Sequence, residues 1–234
     1  MPHGKQSLLD SPRMRLGEII FGWCYMPYYL LLTPLLITLG LALAGREYDI
    51  YKVNLIYVYV NFLVLAFGCR RFLTTSLQQT DLIRLLQAVL IAYGVQVICS
   101  LVIDILTAFL PSYENPADAA TRDMILAHGN VMAVCAVLLG PLSEEILMRG
   151  LIFAPLARRN RAVAYLVSTL AFSSLHLLGY IGQVPVWQLG LALLDYLPGS
   201  IALALCYEIG GTIWCPIVLH MLCNGLSVLI LSLF

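Results

Sequence analysis

The chain has 234 residues, of which 61% are hydrophobic and only 11% charged, and its formal net charge is zero. A soluble domain carries about 25% charged residues. That composition, with a mean hydropathy of +0.89, reads as a polytopic membrane protein and excludes an ordinary soluble domain. No basic patch points to nucleic acid.

The expected architecture is an all-α membrane helix bundle. A polar, basic N-terminal segment, Met1–Glu18, leads into a single transmembrane domain, 19–234, with its chemical core at about 124–234. The first apolar run is too long for a signal-peptide core and is read as a retained span. Seven apolar segments follow in order: Ile19–Ala44, Val53–Cys69, Leu85–Leu110, Met124–Ala157, Ala162–Tyr180, Trp187–Tyr207 and Thr212–Phe234. A span needs about 20 residues, so the second is short and the fourth too long. Gly140-Pro141 lies in the middle of that fourth segment. Proline removes the bond to Val137 and kinks or breaks the helix there.

Loop charges set the expected orientation. Lys5, Arg13, Arg15, Arg70, Arg71, Arg84, Arg158, Arg159 and Arg161 fall on the N-terminal side, whereas only Arg46, Lys52 and Arg122 fall on the other. The N-terminus is therefore expected in the cytoplasm, with the acidic loop Pro111–Asp123 and the C-terminus outside. The seven cysteines (Cys24, Cys69, Cys99, Cys135, Cys206, Cys215 and Cys223) are scattered and form no CxxC pair or metal spacing. They read as small apolar core residues.

Chemistry concentrates at Gly140-Pro141-Leu142-Ser143-Glu144-Glu145-Ile146-Leu147-Met148-Arg149. Ionisable groups at membrane depth are expensive and mark function by default. On a helix Glu145 and Arg149 are four apart and can pair. Glu144, about 140° round from the arginine, is left free to face something else. His176, His220 and Asn224 also interrupt apolar segments, the last two on one helical face. Measured from the expected cytoplasmic ends of their segments at 1.5 Å per residue, the four lie at similar depth, roughly 18–24 Å. Any one of them has the bland reading of a satisfied core histidine or an interhelical hydrogen bond. Four on three helices converging by chance is the poorer explanation. Asp104, His128, Asp195 and Glu208 read as interface or packing groups, with a possible helix break at Pro198-Gly199 beside Asp195.

No serine or cysteine stands at that depth beside a histidine with an orienting acid; Ser173 and Ser174 are too close to His176 in sequence. His-Glu-x-x-His is absent. Two histidines and a glutamate (Glu144, His176, His220) can nevertheless bind zinc, as in a metallopeptidase.

Glu144-Glu145-x-x-x-Arg149, Phe172-x-x-x-His176 and His220-x-x-x-Asn224 together resemble the three motifs of the CAAX protease and bacteriocin-processing family. This is the abortive-infection family of intramembrane proteases, which includes the type II CAAX prenyl endopeptidases. Gly140-Pro141 is similar to its lead-in to the glutamates, and Gly210-Gly211-Thr212-Ile213-Trp214-Cys215-Pro216 to its approach to the third motif. The resemblance covers about Leu138 to Ser227. Met148 stands where the family usually has Phe, and Gly140 where it often has Ala. It implies peptide-bond hydrolysis in the membrane, with Glu144 as general base, His176 its partner in activating water, and His220 and Asn224 stabilising the oxyanion. Glu145, Arg149 and Phe172 would support them. It implies no cofactor, with zinc the alternative, and a membrane protein or peptide substrate in a bacterial cytoplasmic membrane. A non-catalytic immunity or scaffold protein that kept the fold is the competing class. A transporter fits less well because no internal repeat is visible.

Overall fold

A computed structural model describes residues 11–233; of the basic N-terminal segment, the part before Ser11, including Lys5, lies outside the described residues, as does Phe234. Seven helices are long and apolar enough to cross a membrane, and the protein is a multi-pass membrane protein. The spans are α1 (Leu16–Leu43), α2 (Ile50–Gly68), α4 (Leu82–Thr107), α6 (Asn130–Ala157), α7 (Arg161–Leu177, extended by a turn to Tyr180), α8 (Val186–Gly210) and α9 (Trp214–Leu233). Two shorter helices lie between spans: α3 (Arg70–Gln78) and α5 (Pro116–His128).

Local chemistry fixes many of the boundaries. Asp49, Asp81, Asn115 and Asn160 each accept a hydrogen bond from a backbone N–H of the turn they open, at the starts of α2, α4, α5 and α7. Glu18 caps twice: its carboxylate takes the N–H of Arg15 and of Phe72, each at 2.8 Å, and so ties α3 to α1. Gly211, at φ +79°, stops α8.

Two boundaries differ from the expectation. Met124–Ala157 is two helices. Gly129 takes φ +59°, a conformation open to glycine, and separates α5 from α6. The apolar run Met124-Ile125-Leu126-Ala127 hides this turn from a hydropathy reading. In contrast, α8 runs without interruption through Pro198.

The Gly140-Pro141 break takes a specific form. α-Helical hydrogen bonding is lost across a π turn, Cys135–Leu139, and restarts at Gly140. The Gly140 N–H reaches back five residues to Cys135 O instead of four to Ala136 O. In the widened register Ala136 O would meet the N–H of residue 141, but Pro141 has none. The carbonyl of Ala136 is therefore left for another helix, and Asn224 takes it.

Helix α6 is central. It packs against α1, α2, α7, α8 and α9, while α4 packs against α8 and α9 from the other side. Half of its most apolar stretch is buried, against 11–17% in α1, α2 and α4. Apolar side chains in those three spans can face lipid instead of protein.

Candidate active site

Helix α6 supplies Glu144, Glu145 and Arg149. Their spacing separates the two carboxylates as expected. Arg149, with no exposed surface, donates to Glu145 Oε1 at 2.9 Å. It also donates to the hydroxyl and carbonyl oxygens of Ser200 on α8, each at 3.0 Å, and its guanidinium lies 4.5 Å from the centre of the Phe172 ring. Breaking a buried pair of this kind typically costs about 3–5 kcal/mol, because it strands a charge. Here the arginine clamps α6, α7 and α8 together.

Glu145 has a second partner. Its Oε1 also lies 3.0 Å from His220 Nδ1 on α9. A carboxylate oxygen that already accepts from arginine can only accept again, so His220 carries its proton on Nδ1 and turns Nε2 the other way. His176 is set alike: Nδ1 lies 3.0 Å from the Phe172 carbonyl, which can only accept. In the neutral imidazoles both Nε2 atoms therefore present lone pairs.

Both face Glu144. Its Oε2 is 3.8 Å from His176 Nε2 and 3.8 Å from His220 Nε2, and that oxygen is buried with no hydrogen-bond partner among the described residues. The three side chains retain 18%, 24% and 8% exposure for Glu144, His176 and His220, so the group is recessed but open. Phe172 sits beneath them, its ring 4.7 Å from that of His176 and 5.6 Å from that of His220.

Asn224 is one turn beyond His220. Its Nδ2 donates to Ala136 O at 2.8 Å. That carbonyl points along α6 towards the Gly140 turn. A Cβ on Gly140 would stand 3.6 Å from Glu144 Oε1, an ordinary van der Waals contact, so the carboxylate folds back against this turn. Asn224 and the Glu144 carboxylate thus approach the same turn of α6. The Nδ2 group has a second N–H beyond the one given to Ala136.

The side groups read as packing residues hold other partners. Glu208 accepts from Tyr165 and pairs with Arg161, His128 stacks on Tyr51, and Asp195 accepts from Tyr113 and Asn115. Asp104 lines an open cleft of about 420 Å³ between α4 and α9. Ser200 and Tyr196 were not legible as site neighbours in the sequence. A serine after Pro198-Gly199 gives a weak signal, and a tyrosine in an apolar run gives none.

For zinc the geometry fits poorly. Donors of one tetrahedral zinc stand about 3.3–3.5 Å apart, from Zn–N and Zn–O lengths of about 2.0–2.2 Å, whereas both Nε2 atoms stand 3.8 Å from Glu144 Oε2. No three His, Cys, Asp or Glu side chains among the described residues are grouped as a metal site.

Residues 127–226 match the family model described as type II CAAX prenyl endopeptidase Rce1-like. No curated protein and no solved structure matches the chain. The matched stretch contains the three motifs and all seven residues described above. The part of the chain that holds this site, residues 127–226, is thus similar to the Rce1-like type II CAAX prenyl endopeptidase family, as the three motifs in the sequence suggest.

Proposed function

We propose that this protein is an intramembrane endopeptidase that hydrolyses a peptide bond of a membrane-associated protein or peptide, with Glu144 as general base. The observation that carries the reading is the convergence of Glu144 Oε2 with two imidazole Nε2 atoms, each at 3.8 Å. Each separation is too long for a direct hydrogen bond, and we place the attacking water between these groups. Glu144 takes one proton from this water and His176 Nε2 holds the other, which aims the water oxygen at the substrate carbonyl carbon. The new C–O bond leaves an oxyanion. When the tetrahedral intermediate collapses, the C–N bond breaks and the proton on Glu144 passes to the departing amine.

Three acceptors round one water leave one of them without a donated proton, since water has two. His220 is therefore assigned to the oxyanion and not to the water. Its Nδ1–H is used on Glu145, so Nε2 becomes a donor only in the doubly protonated ring, and in that form it faces the oxyanion. The protonated ring brings Glu144, Glu145, Arg149 and His220 to a formal charge of zero, which suits a poorly solvated site. The free N–H of Asn224 is the second oxyanion donor. The nine-to-three distribution of loop cations supports a cytoplasmic N-terminus.

The test is Glu144→Gln in purified full-length protein with one cleavable peptide. Gln keeps the shape and cannot accept the proton, so turnover falls by at least about 10²-fold while thermal stability stays near wild type. Wild-type turnover by Glu144→Gln overturns the reading. The zinc-dependent alternative would use the same three side chains, which would have to draw closer than 3.8 Å to share one ion. Stoichiometric zinc in active protein, with activity lost in chelator and restored by metal, would replace the metal-free mechanism. Cleavage by the wild-type protein itself decides against a non-catalytic scaffold.

A further inference from the structure

His176 is the most exposed of the three converging side chains, and one hydrogen bond at Nδ1 leaves its ring free to swing about that contact. Two aromatic rings prevent this. Phe172 lies on one side, and Tyr196 of α8 stacks with the imidazole at 4.5 Å between centres and 30° between planes. Phe172 is also engaged by Arg149 and His220 and belongs to the buried core. Tyr196 is held from elsewhere. Its hydroxyl donates to Asp118 Oδ1 at 2.7 Å, on helix α5 in the connection between α4 and α6. The preceding residue, Asp195, accepts from Tyr113 and Asn115 of the same connection. Consecutive residues of α8 are thus tied to one extramembrane segment, and α5 itself contributes no buried residue to the core.

Resting on the proposed role of His176, we infer that Tyr196 is a positioning residue for that histidine, and that Asp118 holds Tyr196 in place. The stacked phenol fixes the azimuth of the imidazole, so that Nε2 stays aimed at Glu144 Oε2. The extramembrane helix α5 sets the phenol. A supporting group acts through such packing, because misplacement by about 1 Å at the reacting atoms can cost about 10²-fold in rate.

The experiment measures kcat, KM and thermal stability of full-length variants on one cleavable peptide. Tyr196→Ala removes the ring and lowers kcat by about 10- to 100-fold, with KM within about threefold of wild type. Tyr196→Phe keeps the ring and retains kcat within about threefold. Asp118→Asn weakens the same hydroxyl contact, matches Tyr196→Phe, and the double variant is no slower than either single one. If Tyr196→Ala does not fold, Tyr196→Leu, which refills most of the volume without a ring, is read the same way. A ringless variant with wild-type kcat overturns the inference, as does a Tyr196→Phe variant as slow as Tyr196→Ala. Additive effects of Tyr196→Phe and Asp118→Asn overturn the part assigned to Asp118. Glu144→Gln is run alongside. If it cleaves normally, the general-base reading has failed; if it is inert and Tyr196→Ala is normal, the positioning role alone has failed.

Discussion

Among the described residues three π segments run into a proline, the third being Ile146–Phe153 before Pro155, where the Ala154 N–H reaches Arg149 O. Two of them are completed by a side chain from another helix, to different ends. In α1 a π turn, Tyr28–Leu32, runs into Pro34; in α6 the π turn Cys135–Leu139 runs into Pro141. In each, the residue before the proline gives its N–H to a carbonyl five positions back, from Thr33 to Tyr28 O and from Gly140 to Cys135 O. The next carbonyl, Tyr29 O or Ala136 O, then loses its α partner to the widened register and its π partner to the proline. A side chain from another helix supplies the missing donor. At Tyr29 O it is the Tyr57 hydroxyl, at 3.0 Å; at Ala136 O it is the Asn224 amide, at 2.8 Å. The difference lies in what remains. A phenol has one O–H and uses it up, whereas an amide has two N–H groups and keeps one. The same repair that closes the backbone in α1 leaves a spare N–H on Asn224 at the turn of α6 against which the Glu144 carboxylate folds.

The largest effect expected from this contrast is on Asn224→Ala. Loss of one oxyanion donor lowers kcat by about 10²–10³, or about 2.7–4 kcal/mol in the transition state, with KM little changed. Stability falls by much less, since a side-chain hydrogen bond in a membrane bundle averages about 0.6 kcal/mol. Steady-state kinetics with thermal unfolding alongside separates the two. An Asn224→Ala protein with normal kcat would reduce Asn224 to a backbone cap like Tyr57 and erase the distinction.

Tyr57→Phe is the matched change in the first half. It strips the cap from Tyr29 O without removing the ring, which also packs on Tyr29 at 5.7 Å. Stability drops by roughly 0.5–1.5 kcal/mol, and kcat stays within about threefold of wild type. A kcat loss approaching that of Asn224→Ala would show that both repairs serve the site.

The sequence carried the polar half of this picture well. Lipid makes every buried charge conspicuous, so Glu144, Glu145, Arg149, His176, His220 and Asn224 were legible by type and depth alone, and the i, i+4 pairing of Glu145 with Arg149 followed from helix geometry. The second contact of Glu145, to His220 Nδ1, was not legible, because it depends on how α9 is rotated against α6. Nor was the carbonyl that proline leaves open. Counting four residues back from Pro141 gives Val137, but the π turn moves the exposed acceptor to Ala136, and nothing in Cys135-Ala136-Val137-Leu138-Leu139 marks a register change. Tyr196 resembles any aromatic residue in an apolar run until α7 is packed against it. Apolar residues tolerate lipid and protein alike, so hydropathy locates the spans and leaves their faces undecided.

The smallest expected effect is also the most direct test of the device. Pro34→Ala restores the one N–H whose absence leaves Tyr29 O open. Pro34 is only partly buried, so losing two ring carbons opens little cavity, whereas Pro141 is buried and the same change there would be confounded by packing. With an N–H at position 34, Tyr29 O has a backbone donor in the π register, and the Tyr57 hydroxyl becomes redundant to it. Tyr57→Phe should then destabilise by less than half of what it does in the wild-type background. The double-mutant cycle across positions 34 and 57 should accordingly show a coupling of a few tenths of a kcal/mol to about 1 kcal/mol. Thermal or denaturant unfolding of the four proteins in one detergent measures it. Strict additivity would mean that Tyr57 caps the carbonyl for reasons unrelated to the proline, and the likeness between the two π turns would then be one of shape alone.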